Sequence, residues 1–188
     1  MKIFESLDKV SNEEMESKIL KKWKSEDILN KTIENRNNCK NFVFYDGPIY
    51  ANAKPGIHHV FAKTIKDSIC KYRTMKGNRV LRKIGLDTHG LPIEVNVEKK
   101  LGFKSKADIE KFGIENFCKE CNKETATNID IVKKVTDQMG QFIDMENPYI
   151  TCSNEFIESE WWLIKNIFDQ GLIYHGNKVL PYCPRCGT

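Results

Sequence analysis

Phe42-Val43-Phe44-Tyr45-Asp46-Gly47-Pro48-Ile49-Tyr50-Ala51-Asn52-Ala53-Lys54-Pro55-Gly56-Ile57-His58-His59 is the stretch that decides the fold. It opens as a short β-rich run, Phe42 to Tyr45, of the kind that forms a buried strand. It breaks at Asp46-Gly47-Pro48, where the chain turns and proline removes a backbone donor. A second break at Pro55-Gly56 leads into residues 57–76, which carry apolar residues at helical spacing. Strand, irregular loop and helix N-terminus with two adjacent histidines make a phosphate-binding corner. The unsatisfied N–H groups and positive dipole end attract anions, and imidazoles add donors.

Working downstream, the helix from Ile57 is expected to turn Val60, Ile65, Ile69 and Tyr72 toward a core, and Gly77-Asn78 closes it. Residues 79–86 then read as a second strand, with Val80, Leu81 and Ile84 as its apolar members. Strand, helix and strand over one crossover length imply parallel pairing and half of a doubly wound, Rossmann-like nucleotide-binding fold. Ligands of such folds sit beyond the carboxyl ends of the strands, where Asp87-Thr88-His89-Gly90-Leu91-Pro92-Ile93-Glu94 follows here. Asp87 or Thr88 could simply cap the next helix. Two polar clusters at adjacent strand ends favour ligand contact instead.

Residues 94–101 and 106–137 are rich in lysine and glutamate at helical spacing, punctuated by Gly102 and Gly113. They read as a helical insert, with Ala107, Ile109, Phe112 and Phe117 as packing positions. Asp144 to Tyr149 reads as a turn, Ser153 or Asn154 starts a further helix ended by Gly171, and residues 172–182 are β-like. Upstream, Ser11 and Glu14 form a capping box. The helix behind it is expected to run to about Leu29 with Met15, Ile19, Leu20, Trp23 and Ile28 on one stripe, Trp23 as a packed aromatic. Residues 35–41 are a polar loop.

The 188 residues are 40% hydrophobic and 30% charged, as in soluble globular proteins, with enough material for a core. A net charge of +4 permits nucleic-acid contact without arguing for it. No apolar run is long enough for a bilayer and the first residues lack a signal-peptide core, so no membrane association and a cytoplasmic location are expected. The seven cysteines are then expected as thiols. Cys118 and Cys121 sit in a helical stretch and read as buried structural thiols. Cys183-Pro184-Arg185-Cys186-Gly187 has the form of a metal-binding knuckle but offers only two of the four ligands of a structural zinc.

These motifs together resemble the N-terminal part of a class I aminoacyl-tRNA synthetase of the isoleucyl type, across nearly the whole chain. Asp46 to Asn52 followed by Pro55 to His59 is similar to the first class signature, usually written HIGH. Asp87 to Glu94 resembles the stretch that sets the isoleucyl enzymes apart from valyl and leucyl ones. Residues 144–151, Glu158-Ser159-Glu160-Trp161-Trp162 and Pro181 to Thr188 also resemble family segments, the last being the entry to an inserted editing domain. Two departures stand out. Gly56 replaces the usual first histidine of the signature and His58 its glycine, leaving His59 as the matching histidine; and Leu86 stands where the family often has tryptophan.

The resemblance implies an α/β fold: the first half of a doubly wound parallel-sheet domain with helical additions, cut at the start of the editing insertion. It implies a helical extension at 1–40, the first part of the catalytic domain at 41–176 and the start of the editing domain at 177–188. It implies formation of isoleucyl-adenylate from isoleucine and ATP with Mg2+, and transfer to tRNA(Ile), by a monomer. His59 and His58 are the catalytic candidates; Asn52, Gly56, Ile57, His58 and His59 would bind ATP, and Pro48, Asp87, His89 and Gly90 the amino acid. Cys183 and Cys186 would be half of a zinc site completed by a later cysteine pair. The chain would then be a piece of a longer enzyme, lacking the lysine-rich KMSKS loop and inactive alone. The alternatives are valyl or leucyl specificity, or a non-catalytic nucleotide- or tRNA-associated module.

Overall fold

The computed structural model describes residues 11–184. Its centre is a three-stranded parallel sheet in the order β1-β2-β3, formed by Ile49–Tyr50, Lys83–Asp87 and Asp144–Ile150. Between β1 and β2 runs helix α3 (Ile57–Met75). Helices α4 (Leu91–Leu101), α5 (Lys106–Phe112) and α6 (Ile114–Gln138) connect β2 to β3. Two helices precede the sheet, α1 (Asn12–Ser25) and α2 (Ile28–Glu34), and α7 (Asn154–Asp169) follows it. The parallel α/β expectation is met, and Ile49, Ile84, Leu86, Val132 and Ile143 form the buried core between sheet and α6.

Several boundaries differ from the sequence reading for identifiable reasons. Phe42 to Tyr45 is not a strand. Asn41 makes a single parallel bridge to Arg79, after which Val43 and Tyr45 are exposed, and pairing resumes only at Ile49. Beyond the isolated bridge at Arg79, β2 itself begins only at Lys83, with Val80 buried but Leu81 exposed. The first helix ends at Ser25 because Asp27 adopts a left-handed conformation (φ 49°) that breaks the ladder before α2. Ser11 and Glu14 do form the expected capping box, and Trp23 packs edge-on against Phe142 with centroids 4.6 Å apart.

The expected turn at 144–149 lies inside a strand. Lys83 pairs with Asp144 and Gly85 with Tyr149, so β3 uses three more residues than β2 over that interval. Asp144 stabilises this bulge by accepting from the backbone N–H groups of Glu146 and Asn147. Tyr149 then lies across Gly85, where an added Cβ would sit 2.1 Å from its ring. Residues 172–183 form no strand and are exposed.

Helix α3 is turned opposite to expectation. Of the four expected inward positions Val60 is half-buried but Ile65, Ile69 and Tyr72 are exposed, while Lys63, Cys70 and Thr74 are buried. The inward face is polar because it holds neighbouring segments by hydrogen bonds and ion pairs. Lys63 and Lys66 reach Asp46 at 3.5 and 2.6 Å, and Lys63 also reaches Gln141 Oε1 at 3.4 Å. Asp67 accepts from the Phe142 N–H at 3.0 Å. The buried Arg82 donates to the Cys70 carbonyl at 3.0 Å and to the Thr74 hydroxyl. Of the expected packing positions in the insert, Phe117 is buried, Ile109 half-buried, and Ala107 and Phe112 exposed.

Candidate active site

Parallel pairing brings the ends of three strands to one sheet edge. Tyr50 lies beside Asp87 and Leu86 beside Ile150. The Ala51 N–H donates to the Asp87 carbonyl at 2.8 Å, so the loop 51–56 leaves the sheet directly against the Asp87-His89-Gly90 segment. The Tyr50 hydroxyl donates to the His89 carbonyl at 3.3 Å. Burial and then the charge of Asp87 raise its pKa, which keeps the phenol protonated for that bond. The Asn96 amide of α4 donates to the Asn52 carbonyl at 2.7 Å and ties the loop from the other side. The two motifs are therefore parts of one surface, as the adjacency argument expects.

At the head of α3, the Gly56 N–H donates to His59 Nδ1 at 3.0 Å. A backbone N–H can only donate, so neutral His59 carries its proton on Nε2, which remains as an outward donor. Burial, then the neighbouring His58 and Lys63, push the His59 pKa down, favouring that neutral form. His58 is exposed and its ring lies 3.9 Å from that of His59, centroid to centroid. A Cβ built on Gly56 would meet His58 Cε1 at 2.9 Å and Nδ1 at 3.0 Å. The His58 imidazole thus folds back over Gly56 into the space that a side chain at 56 would enter. The changes at positions 56 and 58 are sterically coupled.

Asp87 is half-buried at the tip of β2 and His89 is exposed beyond it. Gly90 is the N-cap of α4 at φ +90°, a conformation that favours glycine, so neither Asp87 nor Thr88 caps that helix. Pro48 is exposed in the loop ahead of β1. Thr151, to which the sequence reading gave no role, is the hub of this edge. Its hydroxyl lies 3.0 Å from the Thr88 N–H, 2.9 Å from His89 Nδ1 and 3.3 Å from Asp87 Oδ1. A polar residue at the end of a third strand would have drawn notice, but reading 144–149 as a turn hid that strand.

A cleft of about 680 Å³ opens elsewhere, lined by Phe42, Phe44, Leu81, Lys83 and Asp144, at the entering ends of β2 and β3. It belongs to the wrong edge for a nucleotide in a parallel fold. Cys118 is exposed rather than buried, and Cys121 is a half-buried thiol pushed up to about 11 mainly by desolvation, hence inert. Cys183 is exposed and Cys186 lies outside the described residues. Among the described residues no three His, Cys, Asp or Glu side chains group to hold a metal, and no helix is long and apolar enough to cross a membrane.

Residues 18–188 match the family described as tRNA synthetases class I (I, L, M and V). The chain belongs to the class I tRNA synthetases. Among similar class I relatives, the isoleucine–tRNA ligase of Clostridium kluyveri is 49% identical over 175 residues. That of Dehalococcoides mccartyi strain CBDB1 is 48% identical over the same length. Each alignment takes in 93% of this chain and 17% of the relative, so the chain spans about a sixth of their length. Among solved structures, the crystal structure of a ternary complex of Agrobacterium radiobacter K84 LeuRS, tRNA and LeuAMS aligns with a TM-score of 0.62. It is 22% identical, covering 85% of this chain and 18% of that one. That likeness supports the class I synthetase fold for this chain.

Proposed function

We propose that this chain supplies the first half of an isoleucine-activating site, forming isoleucyl-adenylate from isoleucine and ATP as part of an isoleucine–tRNA ligase. In this reading residues 1–40 are a helical extension, 41–176 the first part of the catalytic domain and 177–188 the start of an editing insertion. The observation that carries it is the Ala51 N–H to Asp87 carbonyl bond, which fixes the α3 corner and the Asp87-to-Gly90 segment on one edge. The nearly 50% identity to isoleucine–tRNA ligases points to isoleucine rather than leucine or valine.

In the reaction the isoleucine carboxylate attacks the α-phosphate of ATP and pyrophosphate leaves. The protein needs no nucleophile of its own; it aligns the reactants and offers donors to the developing charge. His59 donates through Nε2, the N-terminal N–H groups of α3 add their dipole, and His58 takes the place of a histidine at 56. Asn52, Gly56 and Ile57 line the nucleotide side. Asp87 receives the substrate ammonium through charge-assisted hydrogen bonds, while Pro48, His89 and Gly90 border the amino acid. Mg2+ accompanies the ATP phosphates. Cys183 and Cys186 would give a zinc two thiolates, half of a structural set. The intact ligase acts on tRNA(Ile), in the cytoplasm and as a monomer.

The test is ATP–pyrophosphate exchange by a full-length ligase carrying this segment. Gly56→His alone should slow exchange by crowding His58, and adding His58→Gly should restore it by returning the signature to its common order. Asp87→Ala should raise the KM for isoleucine, and His59→Ala should lower kcat. Unchanged exchange in Asp87→Ala and His59→Ala would overturn the site, and a double variant no better than Gly56→His would overturn the exchange of roles between positions 56 and 58.

A further inference from the structure

The Thr151 hydroxyl has more neighbours than its function as a strand-end residue requires. It has one proton to give and two lone pairs. The Thr88 backbone N–H, at 3.0 Å, must take one lone pair, because it can only donate. Asp87 Oδ1, at 3.3 Å, belongs to a carboxylate that can only accept. If the Thr151 proton pointed elsewhere, a hydroxyl lone pair would face the carboxylate at that distance. Directed at Asp87, the proton makes a charge-assisted bond instead. His89 Nδ1, at 2.9 Å, then meets the remaining lone pair of Thr151 and must itself carry hydrogen. The Thr88 hydroxyl, also 3.3 Å away, accepts from the Cys152 N–H, and as a neutral acceptor it competes less strongly for the Thr151 proton than the Asp87 carboxylate does.

We infer that Thr151 is a positioning residue that links Asp87 to His89 and holds neutral His89 with its proton on Nδ1 and an open lone pair on Nε2. This deepens the isoleucine-activation reading and rests on it. Two of the three site histidines, His59 and His89, are then held in opposite tautomers. His59, fixed through Nδ1 by the Gly56 N–H, presents a donor suited to phosphate oxygen. His89, fixed through Nδ1 by the Thr151 oxygen, presents an acceptor suited to an ammonium beside the Asp87 carboxylate. Thr151 touches neither substrate in this scheme. It acts through the side chains whose lone pairs and protons it orders, from the end of β3 onto the end of β2.

Two measurements test this. The first is the nitrogen chemical shifts of 15N-histidine-labelled chain near pH 8, with His89 assigned by its own substitution. They should report Nδ1–H for His89 and Nε2–H for His59; Nε2–H for His89 in the unsubstituted chain would overturn the inference. The second compares Thr151→Val and Thr151→Ser in the full-length ligase by amino-acid-dependent exchange. Thr151→Val keeps the shape and loses the hydroxyl, so KM for isoleucine should rise about tenfold, with kcat and the KM for ATP held within about twofold. Thr151→Ser should restore it. Equal effects on both substrates, or a valine variant with the original KM for isoleucine, would overturn the positioning role. A parent enzyme with no isoleucine-dependent exchange would instead refute the activation reading, while the tautomer of His89 would still be decided by its nitrogen shifts.

Discussion

His59 does two jobs with its two nitrogens. Nδ1 accepts from the Gly56 N–H, satisfying one of the orphan donors at the start of α3, and Nε2–H is left as an open donor. The accepting job needs the neutral ring, because a protonated Nδ1 has no lone pair, and desolvation followed by the charges of His58 and Lys63 favours that form. Its midpoint in the folded chain should therefore lie below the ordinary histidine value of about 6.5. The sign follows by linkage. The unfolded chain binds the proton more tightly, so the contribution of His59 to stability is complete above about pH 6.5 and is lost as pH falls through the lower folded-state midpoint. A histidine-resolved NMR titration should place the His59 midpoint below that of a histidine in the urea-unfolded chain. A midpoint above it would contradict the capping bond.

At the scale of elements, α3 is held by charge rather than by a greasy face. Asp46 is almost fully buried and bonded to both Lys63 and Lys66, and Tyr149 from β3 donates to the Asp46 carbonyl. Burial pushes the Lys63 pKa down while Asp46 pulls it back up. Asp46→Ala would strand a buried ammonium, at a cost of about 3–5 kcal/mol. Lys66, about a third exposed and not the only partner of Asp46, should cost at most about 1 kcal/mol when changed to alanine. Urea unfolding of the two variants checks the difference, and equal losses would mean the buried pair does not anchor the loop. This inversion is why the sequence reading placed Ile65, Ile69 and Tyr72 in the core. Apolar periodicity marks a helix face that avoids water somewhere, and here that face is not the one packed on the sheet. The helix limits were legible because Gly56 and Gly77 punctuate them. The bulge in β3 was not, because Asp144 and Asn147 carry the chemistry of a turn whether or not a ladder resumes after it.

For the whole molecule, the parallel crossover and the shared edge of the two motifs were expected from the order of strand, loop and helix, although the first strand lies at Ile49–Tyr50 and not at 42–45 where the sequence reading places it. What the order could not convey was how side chains divide the work at that edge. The hub at Thr151 depends on β3 lying next to β2, a contact between residues more than sixty positions apart. Outward, the chain exposes an apolar row along α3 (Ile57, Phe61, Ile65, Ile69) and a second on α7 (Trp161, Trp162, Phe168). Rows of this extent exceed the scattered apolar residues of an ordinary monomer surface. The 188-residue chain by itself should bind a hydrophobic dye such as ANS and self-associate in sedimentation, whereas a full-length ligase should do neither. A dye-silent, monodisperse short chain would show that these rows need no cover.

The central claim is that the edge formed by the α3 corner and Asp87 to Gly90 activates isoleucine. Amino-acid-dependent ATP–pyrophosphate exchange by the full-length ligase carrying this segment, compared for isoleucine, valine and leucine, tests it most directly. Exchange should be fastest with isoleucine, and valine, one methylene smaller, should follow at roughly 10–200-fold lower kcat/KM. Exchange driven equally well by leucine or valine, or none with any of the three, would contradict it.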